Sequence, residues 1–308
     1  METARTTRAN RSFRIIDTCT SRAFSTLHDV RRPHRPRRLA RIRGRPEGGR
    51  TISVALVLEH IGRAAADSVF PSRCLACDVR PVQRLFRGGV CEECWQAVPR
   101  AEGARCDVCD EPLAAAGAGR CGRCLIHPPP FRSLRAAAPY RGSARTILLA
   151  FKFRGADYVG PRLAQVSIER LAGDAPFPAT VPDEVVAVPA TRSAVGRRGY
   201  HPAEVLAEAV ARSLRIPFAA RRLRKVRETA RQSGLSLERR RANVRGAFRA
   251  NGVAPPRVLL VDDVATSGWT ARECAAALLA AGSQDVDVWC FARASRDDVD
   301  REEPATQP

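Results

Sequence analysis

The sequence predicts an α/β fold, a parallel sheet flanked by helices behind a small cysteine-rich module, and three observations carry that prediction. Arg257 to Gly282, RVLLVDDVATSGWTARECAAALLAAG, runs four apolar residues into two acids, a Thr/Ser/Gly turn and an alanine-rich segment, which reads as strand, loop and helix. The apolar run does not alternate with polar residues, as suits a parallel strand covered on both faces, and Gly282 suits the end of the helix. A second short β-branched run, Glu184 to Pro189 (EVVAVP), is stopped by proline. Ahead of both, eight of the 11 cysteines fall into four Cys-x-x-Cys pairs.

Taken in order, the chain opens on a basic tail. Residues 1–50 hold fourteen arginines against four acids, half of the net charge of +20, and such a segment buries too little apolar area to offset its ordering entropy. The expectation is a disordered tail over 1–50. Its acid-poor, Arg/Ser/Thr-rich composition also describes a transit peptide, and a misassigned start is a further reading. A short helix is expected over 51–72, and a second disordered tail over 297–308. No apolar stretch approaches 18 residues and no secretory h-region is present, so the expectation is a cytoplasmic protein without a membrane span. At 308 residues and 44% hydrophobic, the chain is long enough for two domains with a real core.

The pairs are Cys74/Cys77, Cys91/Cys94, Cys106/Cys109 and Cys121/Cys124, separated by thirteen, eleven and eleven residues. Two such knuckles closing on each other give tetrahedral Cys₄ coordination, so the spacing predicts two structural Zn²⁺ ions in a double zinc ribbon over 73–127. Sequential pairing is simplest; an interleaved pairing satisfies the count equally. A disulfide framework would belong to an oxidising compartment, for which no export signal speaks. His127 reads as a surface histidine, Cys19 as a tail residue, and Cys274 and Cys290 as buried thiols. Arg73, Arg80, Arg84, Arg87, Arg105, Arg120 and Arg123 surround the knuckles, either as solvated charge or as a nucleic-acid surface.

Pro128 to Pro130 mark a linker into a second domain over 131–296. Ala144 to Gly155, ARTILLAFKFRG, reads as a helix ending in cations and glycine, which needs no function to explain it. After EVVAVP comes an Arg-rich, Gly-bearing loop with Arg192, Arg197 and Arg198, a place for a second anion such as pyrophosphate, and then a helix over Ala203–Leu214. The basic stretch Arg221 to Phe248 reads as a mobile lid or an exposed helix.

Ligands in such sheets sit beyond the carboxyl ends of the strands, which places Asp262 and Asp263 at the mouth of a site. The following helix start offers unpaired N–H donors and partial positive charge, and small residues let an anion approach the backbone. Each charge-assisted hydrogen bond there contributes on the order of 1.5–3 kcal/mol. The two carboxylates would repel a phosphate, so they suit sugar hydroxyls or Mg²⁺, and the whole describes a ribose 5-phosphate pocket. A Walker ATPase is excluded: the chain has two lysines, Lys152 and Lys225, and neither lies in a P-loop pattern.

This stretch resembles the phosphoribosyl-diphosphate (PRPP) motif of type I phosphoribosyltransferases: four apolar residues, two acids and a turn ending Gly-x-Thr. The resemblance implies a type I phosphoribosyltransferase-like sheet, with Asp262 and Asp263 on the ribose hydroxyls. Ala265, Thr266, Ser267, Gly268 and Thr270 then bind the 5-phosphate, and Mg²⁺ accompanies PRPP. Trp269 stands where a small residue is usual, so its indole is expected to face outward or toward a partner.

Four knuckles, the Lys-Phe-Arg-Gly helix end, the Arg-Arg-Gly-Tyr loop, RETARQSGLS with ERRRANVRGAF, and the Asp-Asp motif come in an order that resembles the bacterial ComF family over roughly residues 55–293. That resemblance implies a phosphoribosyltransferase-like protein tied to competence and single-stranded DNA entry, with competence or DNA-processing proteins as partners. Where the family commonly has Arg-Gly-Phe-Asn-Gln, this chain has Arg198-Gly199-Tyr200-His201-Pro202. Two function classes follow. An enzyme would use Arg192, Arg197 and Arg198 with Mg²⁺ on leaving pyrophosphate; a binding module would sense PRPP or a nucleotide and bind single-stranded DNA on its arginines.

Overall fold

The computed structural model describes residues 72–82, 89–114, 117, 119–174, 178, 180–229 and 237–295. The tail expected over 1–50, the helix expected up to residue 71 and the tail over 297–308 lie outside them, and Ser72 begins a strand. The cysteine module contains a small antiparallel pair, β1 (Ser72–Arg73) with β2 (Pro81–Val82), and two one-turn helices, α1 (Glu92–Gln96) and α2 (Gly122–Ile126). Each helix begins directly after the first cysteine of a pair, Cys91 or Cys121.

Beyond the linker the chain builds a parallel four-stranded sheet. Its elements are β3 (Ser133–Pro139), α3 (Gly142–Phe153), α4 (Gly160–Asp174) and β4 (Glu184–Ala187), then α5 (Arg192–Arg198) and α6 (Pro202–Leu214). A hairpin of β5 (Leu223–Lys225) and β6 (Phe248–Ala250) brackets α7 (Leu237–Val244). The chain then runs through β7 (Arg257–Ala265), α8 (Trp269–Ala280) and β8 (Asp285–Arg293). Strand order is β3-β8-β7-β4, every neighbour pair parallel.

Periodicity explains which residues pack. In α8, Ala271, Cys274, Ala275 and Leu278 are buried, a spacing of three, four and seven that puts them on one face; α3 does the same with Ala144, Ile147, Leu148 and Phe151. Strand residues alternate between two cores. Leu259, Val261, Trp289 and Phe291 pack with α3, α4 and α6, whereas Val258, Leu260, Val288 and Cys290 pack with α8 and the β5–β6 hairpin.

The knuckles divide the same way. Cys74, Cys91, Trp95 and Val98 join the first core, and Cys106, Cys109, Cys121 and Cys124 join the second. The double ribbon therefore straddles the sheet, one knuckle serving each face.

One element differs from expectation, and the helix alternative for another is met by α7. The Arg-rich segment after β4 is the helix α5, because the Thr191 hydroxyl accepts from the Ala194 N–H 3.1 Å away and caps it. The basic 221–248 stretch is anchored at both ends, since Leu223, Val244 and Phe248 are buried against the α8 face; residues 230–236 lie outside the described residues.

Candidate functional site

β7 is longer than its apolar run. It pairs with β4 only as far as Val261, opposite Ala187, but with β8 through Ala265, opposite Arg293. Asp262 to Ala265 thus project past the end of β4 and open a ledge at the carboxyl end of the sheet. Consecutive strand residues face opposite sides, so the acids straddle the strand end rather than stand side by side.

Asp263 is buried on the α3 side, where Lys152 Nζ lies 2.9 Å from its Oδ1. Burial works against the Lys152 ammonium, yet the Asp263 and Asp262 carboxylates win and hold its pKa above the ordinary lysine value. Asp262 is opposite Cys290, and its Oδ1 accepts from the Asp263 N–H at 2.9 Å. Burial first, and then the Asp263 charge, push Asp262 up to about 7 despite Lys152. Cys274 and Cys290 are buried thiols, as expected; burial raises both, with the Asp262 charge adding to it.

The turn follows at once. Gly268 has φ +77°, a left-handed conformation that glycine adopts without strain, and α8 starts behind it. None of the backbone N–H groups of Thr266, Ser267, Gly268 and Trp269 donates to a described residue. The Ser267 hydroxyl is buried without a described partner, a costly condition for a polar group unless something else meets it. From the other side Tyr200 approaches: its hydroxyl is also buried without a described partner, and burial and Asp157 push it up to about 12, with Asp263 close enough to contribute.

Of the sequence-predicted residues, the structure gathers Asp262, Asp263, Ala265, Thr266, Ser267, Gly268 and Thr270 on one strand end and turn. Arg197 and Arg198 lie in the last turn of α5, Arg197 exposed and Arg198 with its guanidinium 4.9 Å over the Phe153 ring. Arg192 opens that helix. Lys152 is the group that sequence reasoning missed. Its signal was scarcity: one of two lysines in a chain that otherwise uses arginine.

Trp269 is half-buried. Its ring packs under the Arg272 guanidinium at 4.8 Å and the Arg241 guanidinium at 5.3 Å, with the His127 ring 6.1 Å away. The partner that the indole required is internal.

The cysteines group sequentially. In each set, Cys74, Cys77, Cys91 and Cys94 or Cys106, Cys109, Cys121 and Cys124, the four Sγ atoms lie within 4.8 Å of one another. Cys77 and Cys91 Sγ are 4.0 Å apart, and Cys109 and Cys121 Sγ 3.6 Å, bracketing the ~3.8 Å edge of a tetrahedron with Zn–S bonds of about 2.3 Å. Backbone N–H groups already favour thiolates: Cys91 donates to Cys74 Sγ at 3.2 Å and Cys121 to Cys106 Sγ at 3.3 Å, while those of Arg80 and Val79 pull Cys77 down to about 6. None of the described cysteines is in a disulfide.

Comparison with known proteins places both halves. Residues 65–125 match the double zinc ribbon domain. The chain is 32% identical over 225 residues to the DNA utilization protein YhgH of Salmonella typhimurium, an alignment covering 72% of this chain and 97% of that protein. The YhgH protein of Escherichia coli K12 is 31% identical over the same coverage, and Competence protein F of Haemophilus influenzae 29% identical over 73% of this chain and 98% of its own. This chain belongs to the ComF family. Its α/β sheet and double ribbon are the family's fold here, and the two Cys₄ clusters within the ribbon match suggest two structural zinc ions. No described helix of this ComF protein is long and apolar enough to cross a membrane.

Proposed function

We propose that this ComF protein binds PRPP or a related ribose 5-phosphate at the carboxyl end of β7, in the service of DNA utilization. The observation that carries the reading is the turn: four N–H groups and a buried Ser267 hydroxyl that meet no partner among the described residues, directly after Asp262 and Asp263 in the chain. A 5-phosphate satisfies those donors, drawn also by the start of α8. The carboxylates accept from the ribose hydroxyls, and Lys152, whose charge Asp263 now holds, turns toward ligand oxygens. Mg²⁺ accompanies the pyrophosphate, for which Arg192, Arg197 and Arg198 are the cations that α5 offers. Transfer to an acceptor would then proceed at C1, with stabilisation of the developing positive charge left to the two acids. The relatives' names, DNA utilization protein and competence protein, and the net charge of +20 support DNA as the setting. Binding of single-stranded DNA through backbone contacts would then weaken steeply with salt.

Calorimetric titration of Mg²⁺–PRPP tests the site. Asp262→Ala with Asp263→Ala abolishes binding while zinc content and fold persist; retained affinity in that variant removes the assignment. The pH sign is fixed by Asp262. Its folded pKa of about 7 lies above the ordinary carboxylate value, so protonation stabilises the free fold at low pH and that contribution is lost as pH rises through 7. An ionised carboxylate is the stronger acceptor of hydroxyl hydrogen bonds, so affinity rises between pH 6 and pH 8. Asp262→Asn flattens this rise, which separates the residue from the ligand's own ionisation.

A further inference from the structure

The turn that carries this reading is not held by the sheet alone. Arg123 lies within the second knuckle, between Cys121 and Cys124, and its Nη1 donates to the Ser267 carbonyl at 2.6 Å. Arg293, at the end of β8 and 2% exposed, donates to the carbonyls of Ala265 and Thr266. Its other nitrogen donates to Glu111 Oε2 at 2.5 Å, and Glu111 lies two residues past Cys109 in the same knuckle. Arg272, on the first turns of α8, reaches Cys124 Sγ at 3.9 Å with Nη2 while covering the Trp269 ring. Three successive carbonyls, Ala265, Thr266 and Ser267, are therefore fixed by arginines, two of those by one residue that the knuckle itself anchors. In a planar trans peptide the C=O and the N–H of one unit point in opposite directions, so a fixed carbonyl aims the N–H that follows it. The N–H groups so aimed are those of Thr266, Ser267 and Gly268, three of the undonated groups.

We propose that Arg123 and Arg293 are positioning residues, through which the second Cys₄ knuckle holds the 266–268 N–H groups in their ligand-receiving orientation. Among the described residues, none of the first knuckle bonds to the 265–268 turn. Its bonds run elsewhere: Arg170 of α4 donates to the carbonyls of Val98 and Pro99 at 2.7 Å, and Tyr158 packs over Gly89. The affinity part of this inference rests on the ribose-phosphate reading; the orientation part does not.

Hydrogen–deuterium exchange over residues 265–270 of the zinc-loaded full chain, alongside Mg²⁺–PRPP titration, tests both. Arg123→Ala keeps two zinc ions per chain and the wild-type melting temperature, exchanges faster over the turn, and binds Mg²⁺–PRPP about ten-fold more weakly, as losing one charged donor implies. Arg123→Lys restores part of both. Cys77→Ser, which opens the first knuckle, leaves exchange over the turn at the wild-type rate. The proposal is overturned by wild-type exchange in Arg123→Ala, or by Cys77→Ser loosening the turn as much as Arg123→Ala does. Should wild type not bind Mg²⁺–PRPP at all, the ligand reading fails while the exchange comparison still decides whether the knuckle holds the turn.

Discussion

The two knuckles share a spacing and differ in what surrounds them. In the first, Cys77 and Cys94 are partly exposed, and its ion pairs are peripheral: Arg80–Glu93 with both side chains 55% exposed, and Arg162–Glu92 at 3.5 Å. In the second, all four cysteines are buried and the ion pairs are interior. Arg105 holds Asp110, whose other oxygen accepts from the Ala136 N–H of β3, and Glu111 meets Arg293. The same motif thus does two jobs. One fastens the ribbon to α4; the other is tied to β3 and to the turn of the candidate site.

Metal removal breaks that comparison most severely. A structural zinc contributes about 10–16 kcal/mol of folding free energy in isolated knuckles, so chelating both ions unfolds the ribbon. Single substitutions separate the halves. Cys77→Ser and Cys109→Ser should each leave one zinc per chain by elemental analysis, but Cys109→Ser lowers the melting temperature further, because all four cysteines of its knuckle and the Arg293–Glu111 pair beside them are buried. Equal losses would mean that burial of the cysteines says nothing about how the knuckles are used.

How much of this was legible beforehand follows from which forces are local. Four Cys-x-x-Cys pairs announce metal chemistry by spacing, and the VLLV run with its acids and glycine announces a strand and a turn, since each is set by residues within one segment. The assignment of one knuckle to each face was not legible, because it depends on how 106–124 lies across β3 and the α8 side. Lys152 escaped notice for a different reason: a cation near a helix C-terminus already has an electrostatic explanation, so its use by Asp263, over a hundred residues away, leaves no local trace. The internal partner of the Trp269 indole was hidden in the same way. Its cage is drawn from Arg241, Arg272 and His127, three separate segments. Even the capping of α5 by Thr191 was present in the sequence but masked by the glycines and arginines that suggested a loop.

The buried Arg293–Glu111 pair sharpens the comparison at intermediate cost. Arg293→Met strands the Glu111 carboxylate in the interior and releases the Ala265 and Thr266 carbonyls, and breaking a buried pair by removing one partner costs about 3–5 kcal/mol. Adding Glu111→Gln removes the stranded charge and recovers part of that loss in urea unfolding. No recovery would show that Arg293 acts through the turn carbonyls rather than through the knuckle.

The smallest effect belongs to the first knuckle's surface. Arg80 Nη1 meets Glu93 Oε1 at 2.5 Å, yet each side chain is more than half exposed, so water and salt screen the attraction and ordering two long side chains offsets much of the rest. Arg80→Ala therefore costs under about 1 kcal/mol, and 1 M salt erases the difference from wild type. The Arg80 carbonyl, which accepts from the Cys74 N–H at 2.8 Å and so shapes the knuckle itself, is untouched by the substitution. A loss as large as that of Arg293→Met would place this pair among the knuckle's structural ties, and the two halves of the ribbon would then be fastened by the same means.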